Sequence, residues 1–277
     1  MTRMTADHAP LSGSDRRFYA VLAVIGGLYV LLLVSMLVAD SAYTTPGHLW
    51  KTLQSPEIRY AIRLSLLSCT MTTILSLWVA VPLGYVLSRT RFPGRDLVDL
   101  IVEIPIVLPP LVVGLSLLIL FQTAPGRALE TFFPITYAIP SVILAQFMVA
   151  CAFAVRTMRT TFDQLSPRPE QVALTLGCHR SQAFWLVAFP AARRGMLAAA
   201  TLAWARSLGE FGPILVFSGA TRFKTEVLST TVFLELSVGN LEAAVAVSLL
   251  MVATAVIALF ILRYWGRETA LGEPRLS

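Results

Sequence analysis

Residues 163–190 read Asp-Gln-Leu-Ser-Pro-Arg-Pro-Glu-Gln-Val-Ala-Leu-Thr-Leu-Gly-Cys-His-Arg-Ser-Gln-Ala-Phe-Trp-Leu-Val-Ala-Phe-Pro. This polar, helix-forming stretch lies between two apolar segments of membrane-crossing length. Pro167 and Pro169 suit a helix start, residues 170–176 can form two turns, and Gly177 offers a left-handed stop. A second short helix follows over 180–187, and Pro190 ends it. Together the two helices present Ala173, Leu176, Phe184, Trp185 and Val187 as a compact apolar knob. Helices this short owe their stability to the surface they pack on. That surface is either the chain's own membrane domain or another protein.

Working outward, the 277-residue chain is 56% hydrophobic and only 14% charged, with a mean hydropathy of +0.72. Soluble domains carry about 25% charged residues, so the composition is that of a polytopic membrane protein. Six stretches, 18–39, 64–87, 97–121, 137–157, 195–217 and 243–262, approach the roughly 20 helical residues that a bilayer core requires. The apolar core of the first exceeds the roughly 7–15 residues of a secretion signal, and no small-x-small cleavage site follows, so it reads as a retained span.

Basic residues set the orientation. Of 22 arginines and lysines, 15 fall in the tails and loops that are cytoplasmic if the N-terminus is inside, six fall outside, and Arg206 lies within a span. Both termini are therefore expected in the cytoplasm. The same distribution explains the net charge of +6, since no continuous basic stripe suggests nucleic acid. Cys69 and Cys151 fall in spans and Cys178 in a cytoplasmic loop, which excludes a disulfide framework.

Enzyme readings fail on inventory. His8, His48 and His179 lie in three different regions, so a zinc site of spaced ligands is not available. Lys51-Thr52 and Lys224-Thr225 lack the glycine of a phosphate loop. The sequence around Gly114 and Ser116 lacks the second glycine of a nucleophile elbow. No catalytic residue and no metal ligand are assigned.

Helix breakers mark particular spans. Pro82 interrupts the second; Pro105, Pro109 and Pro110 crowd the third; Gly209, Gly212 and Pro213 interrupt the fifth. Irregular backbone at membrane depth is tolerated only where it is buried in protein or lines a water-filled cavity. The third and fifth spans are thus candidates for lining a path. Arg206 and Glu210, four residues apart on the fifth span, share a helical face. Ionisable groups at that depth mark a pathway or a pair. Two readings stand: a structural ion pair that fixes the broken helix near a gate, or direct anion ligation by Arg206. Glu103, in the third span, is assigned no role.

The spacing Gly177, nine residues, Val187-Ala188-Phe189-Pro190 resembles the "EAA" loop of ATP-binding-cassette (ABC) importer permeases, whose pattern is Glu-Ala-Ala, three residues, Gly, nine residues, Ile-x-Leu-Pro. Gln171-Val172-Ala173 stands in the Glu-Ala-Ala positions and Phe189 in that of Leu. The likeness to type I importer permeases extends over about 57–263 and includes Pro82-Leu83-Gly84-Tyr85-Val86-Leu87-Ser88-Arg89. Leu108-Pro109-Pro110-Leu111-Val112-Val113-Gly114 and Ala205-Arg206-Ser207-Leu208-Gly209-Glu210-Phe211-Gly212 are similar to the molybdate, tungstate and sulfate branch.

The resemblance implies an all-α membrane protein of six transmembrane helices, a five-helix permease core plus an N-terminal helix. Its layout would be a tail (1–15), a first helix with an extracytoplasmic loop (16–56), a transmembrane domain (57–265) with a coupling loop at 159–194, and a tail (266–277). Glu170, Gln171, Ala173, Gly177, Phe184, Trp185, Val187 and Pro190 would face an ATPase. Pro109, Pro110, Gly114, Arg206, Gly209, Glu210 and Gly212 would belong to the pathway or gate. Two copies would form the path in a bacterial or archaeal inner membrane, two separate ATPase subunits would bind ATP and Mg, and an extracytoplasmic binding protein would deliver molybdate or tungstate. A sulfate or thiosulfate permease is the near alternative. A stand-alone channel or secondary carrier is a second class, and a membrane-embedded enzyme a third.

Overall fold

The computed structural model describes residues 13–271. Its regular elements are all helical: α1 (Gly13–Tyr43), α2 (Pro46–Gln54), α3 (Pro56–Arg89), α4 (Arg95–Val107), α5 (Pro110–Gln122), α6 (Ala124–Phe132), α7 (Ile139–Gln164), α8 (Arg168–Thr175), α9 (Arg180–Ala183), a π-helical turn (Phe184–Ala188), α10 (Phe189–Ala191), α11 (Arg193–Leu208), α12 (Gly212–Phe217), α13 (Leu228–Ser237) and α14 (Leu241–Leu271). The tails expected at 1–15 and 266–277 lie for the most part outside the described residues.

Among the described residues four helices are long and apolar enough to cross a membrane, those at 16–43, 56–89, 139–164 and 241–261. The third expected span is a pair, α4 and α5, bent by 113°. Each has 13 residues, about 20 Å of helix against a core of about 30 Å. The fifth expected span is divided as well: α11 stops at Leu208 after 16 residues, and six-residue α12 resumes at Gly212. Against the six spans expected, the described residues thus show four unbroken candidates, and a fifth if the bent α4–α5 pair is one span, while the stretch at 195–217 is divided between α11 and α12. The expected extracytoplasmic loops also contain α2, α6 and α13, three short helices that a hydropathy reading passes over.

Local chemistry accounts for the helix ends. Ser55 caps α3 by accepting the Ile58 N–H at 3.4 Å, Pro56 occupies the first turn with Glu57, and Arg89 stands in the last turn, as the helix dipole favours. Leu108 and Pro109 are both extended, with ψ of 141° and 133°, because each precedes a proline. That double restriction makes the α4–α5 bend. Pro82, by contrast, does not interrupt α3. Ala80, Val81, Gly84 and Leu87 around it are buried, so packing on both sides holds the helix through the missing hydrogen bond.

The core is the seam between α3 and α7, the most extensive helix contact in the chain, with α11 against both. Along α3 the buried face runs Ala61, Ser65, Ser68, Thr72, Ser76, Ala80 and Gly84, small residues three or four positions apart. Helices in lipid gain little from hydrophobicity when they associate, so close backbone approach and interhelical hydrogen bonds hold them. The seam has both. A Cβ at Gly84 would lie 2.9 Å from the Arg159 N and from the Met158 Cβ. Gln146 of α7 is buried; it accepts from the Thr72 hydroxyl at 3.2 Å and donates to the Ser207 carbonyl at 3.2 Å, tying α3, α7 and α11 at one point.

α1 lies apart from this core, packing along α14 with no part of its apolar window buried. The contrast gives a test. Gly84→Val should force α3 and α7 apart and lower stability in detergent by about 1–3 kcal/mol. Gly26→Val on α1, where a Cβ would meet nothing within 4 Å, should change it by no more than about 0.5 kcal/mol. Thermal unfolding of the two variants, followed by fluorescence, checks the pair.

Candidate functional site

The two broken spans meet at their breaks. A Cβ on Gly114 would stand 2.7 Å from the Pro213 Cα, and one on Gly212 would stand 3.0 Å from the Leu111 N and the Pro110 Cβ. Only glycine lets α5 and α12 approach so closely. Behind the contact, Leu117, Phe121, Ile214 and Phe217 are buried, with the Phe121 and Phe217 rings 5.3 Å apart. Pro109 and Pro110 remain exposed at the rim. Gly209 has an ordinary φ of −81° and no neighbour nearer than 3.8 Å, so neither conformation nor packing there requires glycine.

Arg206 and Glu210 are paired, but not by sharing a helix face. The helix ends before Gly209, and Glu210 lies in the break itself. The break turns its carboxylate back so that Glu210 Oε2 is 3.0 Å from Arg206 Nη1. The carboxylate side chain is 2% exposed and the guanidinium side chain 31%. Arg206 also lies over the Phe153 ring, 5.8 Å from its centre, within cation–π range. The Ser229 hydroxyl donates to the Glu210 carbonyl at 2.7 Å, and Gln146 takes the Ser207 carbonyl. The break is therefore braced on three sides.

The polar loop is built as two helices around a Schellman turn. The Cys178 N–H donates to the Ala173 carbonyl and the Gly177 N–H to the Leu174 carbonyl, both at 3.1 Å, with Gly177 at φ +93°. This is the left-handed stop that the sequence calls for. Gln182 Oε1 accepts the His179 N–H at 2.8 Å and starts α9.

Pro190 does not end the second helix. The chain widens into the π-helical turn at Phe184–Ala188 and continues through α10 to Ala191. A π turn closes its hydrogen bonds one residue further back, and this widening accommodates the proline ring.

The apolar knob divides into two faces. Phe184 turns inward, its ring 4.7 Å from that of Tyr85 in α3. Ala173 and Val187 are half-buried, while Leu176, Trp185 and Leu186 point outward at 80%, 60% and 70% exposure. Gln171 is exposed, whereas its neighbour Glu170 is buried. Glu170 accepts from the Tyr85 hydroxyl at 2.8 Å and from Arg89 Nε at 3.1 Å, and Arg89 Nη2 donates to the Leu165 carbonyl at 2.9 Å. Glu170 thus fastens the loop to the end of α3. Sequence reasoning placed it on the partner-facing side and did not single out Tyr85, Arg89 or Gln146. A glutamine within the apolar stretch 139–155 of α7 was the one available signal for Gln146.

The pair at the break makes a prediction. Removing one charge of a buried ion pair leaves the other uncompensated, at a cost of about 3–5 kcal/mol when both are fully buried, and less here because Arg206 is partly exposed. Glu210→Gln and Arg206→Gln should each reduce assembled protein, and the double change should be milder than their sum. Monodisperse yield and thermal midpoint in detergent measure this. Additive losses would argue against coupling.

Comparison with known proteins agrees with this architecture. Residues 80–269 match the family model described as "Binding-protein-dependent transport system inner membrane component". The chain is 33% identical over 236 residues to the sulfate transport system permease protein CysT of Escherichia coli, covering 84% of this chain and 85% of that one. It is 34% identical over 207 residues to the molybdate/tungstate transport system permease protein WtpB of Pyrococcus abyssi, covering 74% and 79%. With the molybdenum transport system permease protein ModB of Mycobacterium tuberculosis it shares 32% over 249 residues, covering 88% and 92%. In fold it is similar to a chain of a bacterial alginate ABC transporter crystallised with a periplasmic protein bound to an alginate pentasaccharide, at a TM-score of 0.75 and 16% identity, covering 92% and 95%. With a matched family domain over most of its length and relatives of this identity, the chain belongs to the inner-membrane permeases of ABC importers.

Proposed function

We propose that this permease carries a tetrahedral oxyanion, molybdate or tungstate, inward across the cytoplasmic membrane. Two copies would line the path, two separate ATPase subunits would bind ATP and Mg and dock on the 159–194 loop, and an extracytoplasmic binding protein would deliver the anion. The 57–265 region would be the transmembrane domain, and both termini would face the cytoplasm. One observation carries the reading. A loop fastened from within by Glu170, Tyr85 and Arg89 exposes Leu176, Trp185 and Leu186 together on its outer side. A loop that served only its own membrane domain would turn these inward. A channel or secondary carrier has no use for such a surface.

Sulfate or thiosulfate is the second reading, supported by the likeness to CysT. The named oxyanions of the relatives motivate both, and the binding protein discriminates between them. The direct test is anion uptake and ATP hydrolysis by the reconstituted permease–ATPase complex, with the binding protein offered molybdate, tungstate or sulfate in turn. Stimulation by molybdate or tungstate is expected. Stimulation by sulfate alone would overturn the anion, and absence of any ATPase association would overturn the importer mechanism.

Two variants probe the loop. Gly177→Val adds a β-branched side chain where φ is +93°, a conformation that costs roughly 1 kcal/mol for an ordinary residue and more for a branched one. A Cβ there would meet nothing within 4 Å, so the backbone alone carries the strain. The protein should insert and dimerise yet bind its ATPase poorly, or fail to respond to loaded binding protein. Normal binding and stimulation would remove the loop as coupling element. For orientation, Cys178 is half-buried on the loop while Cys69 and Cys151 are buried in the core. An impermeant thiol reagent should label it from the cytoplasmic side and not from outside intact cells.

A further inference from the structure

α7 carries two opposite faces. On one, Ile143, Leu144 and Phe147 join Leu75, Trp78 and Ile139 around an apolar groove, a surface suited to lipid. Phe147 and Arg156 are nine positions apart, about two and a half turns, so they point to opposite sides of the helix. On the Arg156 side, Phe153, Arg156, Thr157, Thr160 and Gln164 line an open groove of about 470 Å³, with Leu202 of α11 also along it. Arg156 lies eight residues, about 12 Å, before the end of α7. That places Arg156 at the cytoplasmic end of the apolar stretch of α7, where charged and hydroxyl groups stand beside water rather than hydrocarbon.

The two arginines beside this groove differ in what neutralises them. Arg206, over Phe153, is held at 3.0 Å by the buried carboxylate of Glu210. The Arg156 side chain is 63% exposed, and the carboxylate nearest it, Glu103 of α4, is itself 44% exposed and 3.9 Å away. An exposed pair at that separation cancels little charge. The hydroxyls of Thr157 and Thr160 donate to the Phe153 and Arg156 carbonyls at 2.8 and 3.0 Å, so toward the groove they offer oxygen lone pairs. Those hold water. The donors left for an anion are the Arg156 guanidinium and the Gln164 amide.

We infer that this face of α7 lines the cytoplasmic mouth of the anion path and that Arg156, not Arg206, is the charged contact of a passing, largely hydrated oxyanion. Arg206 and Glu210 hold the broken span beside it. The assignment rests on the oxyanion-importer reading and names the anion-contacting residue within it.

The test uses the complete permease–ATPase complex in proteoliposomes with the binding protein, assayed for uptake of molybdate, tungstate and sulfate and for stimulated ATP hydrolysis. Arg156→Gln should lower anion uptake about tenfold or more, as loss of a charge-assisted contact implies, while stimulated ATP hydrolysis stays within about twofold of the unaltered complex. Arg156→Lys should recover most of the uptake, and Glu103→Gln should leave it equal or higher. Uptake by Arg156→Gln equal to the unaltered complex would overturn the assignment. Failure of the unaltered complex to carry any of the three anions would overturn the oxyanion reading instead.

An independent measurement spares Arg156. In a protein whose Cys69, Cys151 and Cys178 are replaced, Thr160→Cys is modified from the inner side with a negatively or a positively charged thiol reagent. A negative adduct should block uptake and a positive one should slow it far less. Equal effects of the two, or no effect of either, would overturn the placement of this face on the path.

Discussion

Backbone interrupted inside a bilayer must be enclosed by protein or bathed by water, and in this permease two interruptions enclose one another. The double proline bend between α4 and α5 and the opened segment after α11 are packed together through Gly114 and Gly212, with Pro213 and Pro110 filling the space that side chains would otherwise occupy. Neither break is tolerable alone in lipid. Because they lie at one contact, a displacement of α12 is necessarily felt by α5.

The bracing around the junction comes from the unbroken helices. The small-residue seam of α3 and α7 brings their backbones close, and Gln146 extends that rigidity to the last turn of α11 by taking the Ser207 carbonyl. Three residues further on, Glu210 turns back to Arg206 and its carbonyl is held by Ser229. Order thus passes from the seam into the break through hydrogen bonds and one ion pair.

The same seam continues into the polar loop at 159–194. Tyr85 and Arg89 on the last turns of α3 hold Glu170, and Phe184 packs on the Tyr85 ring. A force applied to Leu176, Trp185 or Leu186 would therefore act on α3 directly, and through the seam on α7 and α11. The π-helical turn at Phe184–Ala188 aims these side chains: it lets the chain pass Pro190 without stopping and places Phe184 inward and Trp185 outward on consecutive residues.

Much of this was legible in the chain itself. Hydropathy marked the apolar segments, Gly177 announced the left-handed stop, and the prolines of 109–110 announced the bend, because these depend on the local preferences of a residue and its neighbours. Tertiary structure decided what those preferences left open. Pro82 and Pro109 are both helix breakers by nature, yet one lies within a continuous helix and the other at a 113° bend, since packing on both flanks restrains the first and a second proline reinforces the other. Glu170 and Gln171 are adjacent polar residues, and only the position of Tyr85 and Arg89, some eighty residues earlier in the chain, determines that the first is an inward anchor and the second is exposed. Arg206 has its carboxylate four positions on, at Glu210, a pairing that spacing alone suggests. The carboxylate near Arg156 is Glu103 of α4, some fifty residues earlier and brought within reach only by the fold, a property of three-dimensional neighbours that periodicity and composition do not encode.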